Sequence, residues 1–139
     1  MAQASSTRAR PSPRSHRQLA AWQRAIELCV ACHQLADRLP EAQRAGLGAQ
    51  IRRAAAAVPA NVAEGYDRLH RGDYVQHLSI ARGALKELET HLVVAHRLRH
   101  LEAAEAAALD RQCWAVGRLL AQLIRSLCDL RAPDGGARA

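Results

Sequence analysis

Phenylalanine is absent from the sequence, and aromatic residues make up 3% of its 139 residues. With two Trp, two Tyr and one Met, the scarcity of aromatic rings counts against base stacking on single strands. Long apolar runs are missing too, and none approaches the ~18 residues that a membrane span needs. Strand-forming residues are scarce, as are glycine and proline, whereas Ala, Leu and Arg abound; this balance predicts an all-α chain. Four cysteines in a chain with enough aliphatic residues for a core do not suggest a disulfide scaffold. The length suits one domain with a real core.

Acidic residues are in deficit. Lys+Arg number 20 against 13 Asp+Glu, a formal charge of +7. Residues 1–17 hold Arg8, Arg10, Arg14 and Arg17 with no acid, residues 44–100 carry a second excess of cations, and the stretches beside them are close to neutral. In a helical bundle the middle two helices would then show a basic surface and the outer two a near-neutral one. Such charge favours phosphate-rich partners through counterion release, although plain solubility accounts for it equally well. Residues 1–17 lack the apolar stretch of a secretory signal, and Pro11 and Pro13 oppose the amphipathic helix of a transit peptide. The expected organisation is a disordered basic arm over 1–17, a bundle over 18–131 and a disordered tail over 132–139, in the cytoplasm.

Hydrophobic spacing predicts four helices. The first runs from about residue 19 to 39, with Trp22, Ile26, Cys29, His33 and Ala36 as its inner stripe. The second starts near Glu41 or Gln43, with Leu47, Ile51, Ala54, Val58, Val62 and roughly Leu69 inward; Pro59 should kink it, or split it with Asn61 recapping. Asp73 is the predicted N-cap of the third, whose stripe is Tyr74, Leu78, Ala81, Leu85, Leu88, Leu92 and Ala95. The fourth opens near Leu101 or Glu102, turns Leu109, Cys113, Val116, Leu120, Leu123, Leu127 and Leu130 inward, and ends by Pro133. Short connections and narrow seams imply an antiparallel up-down-up-down bundle. Leu28, Leu35, Ile80, Val93, Val94, Leu119 and Ile124 fall off those seams and hint at subunit packing.

Few motifs point to chemistry. Cys29, Cys32 and His33 spell C-x-x-C-H, the attachment string of haem c, but it lies mid-helix in a chain with no export signal. Buried cysteines serving as small hydrophobes are the expected reading. No second pair completes a zinc set, no Glu-x-x-His supports a di-iron site, and no nucleophile or phosphate-cradling Gly loop has a recognisable context. No metal, cofactor or enzymatic activity is expected. The informative stretch is residues 50–65, which combines adjacent arginines, an internal proline, and Asn61 and Glu64 on one helical face. Arg53, Asn61 and Glu64, with Glu87 and Glu89 on the third helix, are read as an inter-helix or inter-subunit polar network.

Residues 50–55 (Gln-Ile-Arg-Arg-Ala-Ala), 58–65 (Val-Pro-Ala-Asn-Val-Ala-Glu-Gly) and 78–90 (Leu-Ser-Ile-Ala-Arg-Gly-Ala-Leu-Lys-Glu-Leu-Glu-Thr) resemble the motifs of the bacterial 23S rRNA intervening-sequence proteins. The departures are Ala84 where the family has Ser and Tyr66 where Phe is common. The resemblance spans roughly residues 19–130. It implies an antiparallel four-helix bundle that assembles as a ring-shaped homopentamer. It also implies kinship with the accessory variability determinant of diversity-generating retroelements, in which a basic pentamer binds nucleic acid and a reverse transcriptase.

The expected function is non-enzymatic, oligomeric binding of RNA or DNA phosphate backbones. Arg52, Arg68, Arg71, Arg82, Arg97 and Arg99 are the expected contacts, assisted by the arginines of the arm. The competing expectation is a protein-interaction scaffold that docks a partner such as a reverse transcriptase.

Overall fold

Proline at position 40 disfavours helical geometry at the residue before it, and Leu39 is extended (φ −64, ψ 151), so the first helix stops there. The computed structural model describes residues 15–130. The expected disordered segments therefore lie outside the described residues, except at 15–17. There the expectation is corrected, because His16–Gln18 form a 3-10 turn capped by the Ser15 hydroxyl, and His16 meets Trp22 edge-on at 5.2 Å.

Four long helices follow: α1 (Ala20–Arg38), α2 (Ala49–Tyr66), α3 (Arg71–Arg97) and α4 (Ala103–Asp129). A helical turn, Glu41–Gln43, and a π-helical turn, Arg44–Gly48, lead into α2. Each helix packs on the next, and α4 closes back on α1. Sequential neighbours joined by short turns must run antiparallel, so the chain forms an up-down-up-down four-helix bundle. Among the described residues there is no strand, and no helix is long and apolar enough to cross a membrane.

The α3 stripe is buried as its spacing predicts, with Tyr74 half-covered. Ile51, Ala54, Val58 and Val62 of α2 and Leu109, Cys113, Val116 and Leu120 of α4 are likewise buried, whereas α1 departs from expectation. In α1 the core is formed by Ala21, Ala25, Leu28, Cys32, Leu35 and Ala36, while Trp22, Ile26, Cys29 and His33 are only half-buried. Two overlapping 4-3 patterns run along α1, and the bulkier leucines take the deepest positions. Leu28 and Leu35 are thus core residues rather than packing surface, and Leu119 and Ile124 lie against the core; Ile80, Val93 and Val94 are exposed. Leu69 is 96% exposed, because α2 has already ended, and Leu130 is also exposed beyond the end of α4.

Pro59 does not split α2. Its ring is buried, the helix continues to Tyr66, and Asn61 lies inside it rather than capping a second half. Asn61 Nδ2 donates to the Ala57 carbonyl at 2.8 Å, a side-chain bond just past the point where Pro59 lacks an N–H. The N-cap of α3 is His70, not Asp73. Asp73 falls within the first turn, where its charge suits the helix dipole. At the other end of α3, the His100 N–H bonds to Ala95 O and the Arg99 N–H to His96 O, the two bonds of a Schellman motif. Arg99 takes the left-handed position that glycine usually fills (φ 64).

Candidate nucleic-acid interface

The outward faces of the α2–α3 and α3–α4 pairs differ in chemistry. Between α2 and α3 runs a polar seam. Arg53 bonds to Glu87 Oε1 at 3.3 Å, and His91 Nε2 lies 3.5 Å from the same oxygen without forming a hydrogen bond. Further along, His77 Nδ1 is 3.3 Å from Asn61 Oδ1 and 4.0 Å from Glu64 Oε2, and Glu64 also holds Arg68 at 2.6 Å.

Gly65 permits this approach. A Cβ there would meet His77 Cβ at 2.7 Å and the Tyr74 carbonyl oxygen at 3.3 Å. Tyr74 is half-buried beside it, with its buried hydroxyl lacking a hydrogen-bond partner. Burial, with Tyr66 nearby, pushes that phenol up to about 12.

The residues expected to form one polar network are therefore divided. Arg53, Asn61, Glu64 and Glu87 line the α2–α3 seam, joined by His77 and His91. Glu89 is the correction: it pairs with Lys86 at 3.0 Å on the side of α3 that faces α4. His77 could have been found in the sequence, since it lies one helical turn beyond Asp73 on the face that meets α2.

Between α3 and α4 lies a basic groove. Arg82, Lys86, Glu89, Trp114, Gly117 and Arg118 line a hollow of about 240 Å³. A second hollow of about 270 Å³ lies over Ser79, Arg82, Gly83 and Lys86. The Arg118 guanidinium sits over the Trp114 ring at 5.0 Å. Helical spacing places Arg111 and Arg125 on the same exposed face of α4 as Trp114 and Arg118. A larger hollow of about 400 Å³ continues the groove toward Val93, His96 and Arg97, with Asp110 on its wall.

The arginines expected as contacts are dispersed. Arg52 is bound to Asp37 at 2.6 Å and Arg68 to Glu64, so both carry a carboxylate partner. Arg71 opens α3 at one end of the bundle, whereas Arg97 and Arg99 close it at the other. Of the expected contacts, Arg82 stands beside Lys86, Trp114 and Arg118, and Arg97 lines the larger hollow that continues the groove. The near-neutral charge expected of α4 holds in sum, with Arg111, Arg118 and Arg125 against Glu105, Asp110 and Asp129, while its three cations share one face with Trp114 and Asp129. The 3-4 spacing of Arg111, Trp114, Arg118 and Arg125 was the signal for it.

The C-x-x-C-H string is folded into the wall of the bundle. Cys32 is fully enclosed, and its thiol is pushed up to about 12 by burial, with Cys113 and Cys29 adding to the effect. Cys113 is likewise enclosed and pushed up to about 12, again chiefly by burial. Cys29 lies against His33, whose Nδ1 is 3.0 Å from the Cys29 carbonyl oxygen. A vinyl group could not reach Cys32 without opening the core. Among the described residues no set of three or more His, Cys, Asp or Glu is placed to hold a metal ion.

Fold and site together define a small four-helix bundle with a polar seam on one side of α3 and a basic groove on the other. The family described as 23S rRNA-intervening sequence protein matches residues 17–122, and the chain belongs to that family. A solved structure similar in fold is a protein with unknown function from the S23 ribosomal protein family of Bacteroides thetaiotaomicron VPI-5482. It is 22% identical, with a TM-score of 0.72, and the match covers 76% of this chain and 98% of that one. No curated protein matches.

Proposed function

We propose that this protein is a non-enzymatic, oligomeric nucleic-acid-binding protein of the cytoplasm that holds phosphate backbones. The observation that carries the reading is the α3–α4 groove, where Arg82 and Arg118 have no carboxylate partner among the described residues and flank an open hollow. Unpaired guanidinium groups on rigid helices suit bidentate phosphate contact at little ordering cost. Assembly into a ring, which the family resemblance implies as a pentamer, would repeat the groove in every subunit, and the arm's arginines would add to it.

Binding of this kind weakens steeply as salt rises. The test is a salt titration of duplex RNA binding by the full chain, by Arg82→Ala/Arg118→Ala, and by an arm variant with Arg8, Arg10 and Arg14 changed to Ala. The groove variant is expected to bind least. Loss confined to the arm variant would reduce the bundle to a carrier.

A second reading is favoured by the exposed Val93, Val94 and Leu98 near the C-terminal end of α3. An apolar cluster there suits a protein partner, such as the reverse transcriptase of a retroelement, or a second copy of the chain. It predicts binding that tolerates salt and is lost in Val93→Glu/Val94→Glu.

A further inference from the structure

Tryptophan is the most costly side chain to leave in water, yet Trp114 is 63% exposed, whereas Trp22 packs against the core. Arg118 lies over the ring at 5.0 Å, and most of the Trp114 surface is open. A flat, exposed apolar ring bordered by planar cations is the arrangement on which a nucleobase stacks.

The surroundings match the rest of a nucleotide. Arg82 and Arg118 line the same hollow as Trp114. Next along α3, a Cβ placed on Gly83 would find nothing within 4 Å, so the floor beside Arg82 and Ser79 is open backbone. Arg111 and Arg125 bracket Trp114 on α4 and span ~21 Å of helix. The opposing charge is limited: Glu89 lines the hollow but is held by Lys86, Asp110 lies toward the larger hollow, and Asp129 stands one turn beyond Arg125.

Resting on the reading of this groove as a phosphate-binding site, we infer that it takes single-stranded nucleic acid, with an unpaired base stacked on Trp114 and its flanking phosphates on Arg82 and Arg118. A duplex turns its phosphates outward and keeps its base faces covered, so it would use the arginines and leave the ring idle.

The test uses the full chain with Trp22→Phe, which leaves Trp114 as the only tryptophan. A twelve-residue oligouridine, the matching RNA duplex and poly-glutamate are added in turn while indole emission is followed. Oligouridine is expected to quench emission strongly, and the duplex and poly-glutamate weakly. In the otherwise native chain, Trp114→Ala is expected to lower oligouridine affinity about tenfold and to leave duplex affinity within about twofold, while Trp114→Phe keeps most of both. Circular dichroism and thermal melting confirm that the variants fold. The inference is overturned if Trp114→Ala weakens duplex and single strand alike, if poly-glutamate quenches as well as oligouridine, or if emission shifts with protein concentration alone. If both nucleic acids bind with full salt dependence and no effect of Trp114, this inference fails and the proposed function stands. If neither binds at low salt, both fail.

Discussion

The imidazole of His77 on α3 faces the carboxamide of Asn61 on α2, with Nδ1 at 3.3 Å from Oδ1. Because Asn61 Nδ2 already donates to the Ala57 carbonyl at 2.8 Å, Oδ1 is left as the acceptor and His77 Nδ1–H donates to it. One residue thus satisfies its own helix just past Pro59 and fastens that helix to the next. Asn61→Ala removes both bonds and leaves a half-buried imidazole N–H with only a distant Glu64. A loss of about 1–2 kcal/mol in urea unfolding is expected, with Asn61→Asp no better, since a carboxylate would face the Ala57 carbonyl. A neutral Asn61→Ala would show that the bond contributes nothing.

Two glycines should respond in opposite directions. At Gly65 a methyl group would strike His77 Cβ and the α3 backbone, which cannot yield without separating the helices. Gly65→Ala is expected to cost about 1–3 kcal/mol. Gly83 is helical, exposed and free of neighbours, so Gly83→Ala should stabilise by up to about 1 kcal/mol. Paired denaturation curves check both signs.

Alkaline conditions should weaken the bundle. Cys32 and Cys113 are held up to about 12 in the fold, against an ordinary thiol value of 9.0. Between those values the unfolded chain releases protons that the folded chain retains, so stability falls as pH rises from about 9 toward 12. Tyr74, also held up to about 12, acts with the same sign from its ordinary 10.0 onward. Melting curves under reductant should show this decline, and Cys32→Ala/Cys113→Ala should be less stable at neutral pH but flatter above pH 9. An equal slope in the two proteins would assign the decline to other groups.

Much of the fold was legible because α3 and α4 repeat one unambiguous 4-3 pattern, with Leu78, Leu85, Leu88 and Leu120 each at a single plausible register. In α1 two patterns overlap, and which one faces inward depends on the neighbouring helices, a matter that local spacing does not decide. Leu69 and Leu130 extended real stripes beyond the ends of their helices, where periodicity continues but burial does not. The groove was hidden for a different reason. Charge summed along α4 is small, and only its distribution over faces brings Arg111, Arg118 and Arg125 together, while pairing with Arg82 requires α3 and α4 to be adjacent. Conversely, Arg52 and Arg68 were plain as cations in the sequence, but their carboxylates, Asp37 and Glu64, became partners only once the helices were in place.

The most direct test of the central claim is the salt dependence of duplex RNA binding by the full chain beside Arg82→Ala/Arg118→Ala. A basic groove predicts that the variant binds more weakly and that its slope of log affinity against log salt is shallower by about 1–2, near 0.9 for each phosphate that the arginines no longer neutralise. Identical affinity and slope in the two proteins would contradict the assignment of phosphate binding to the α3–α4 groove.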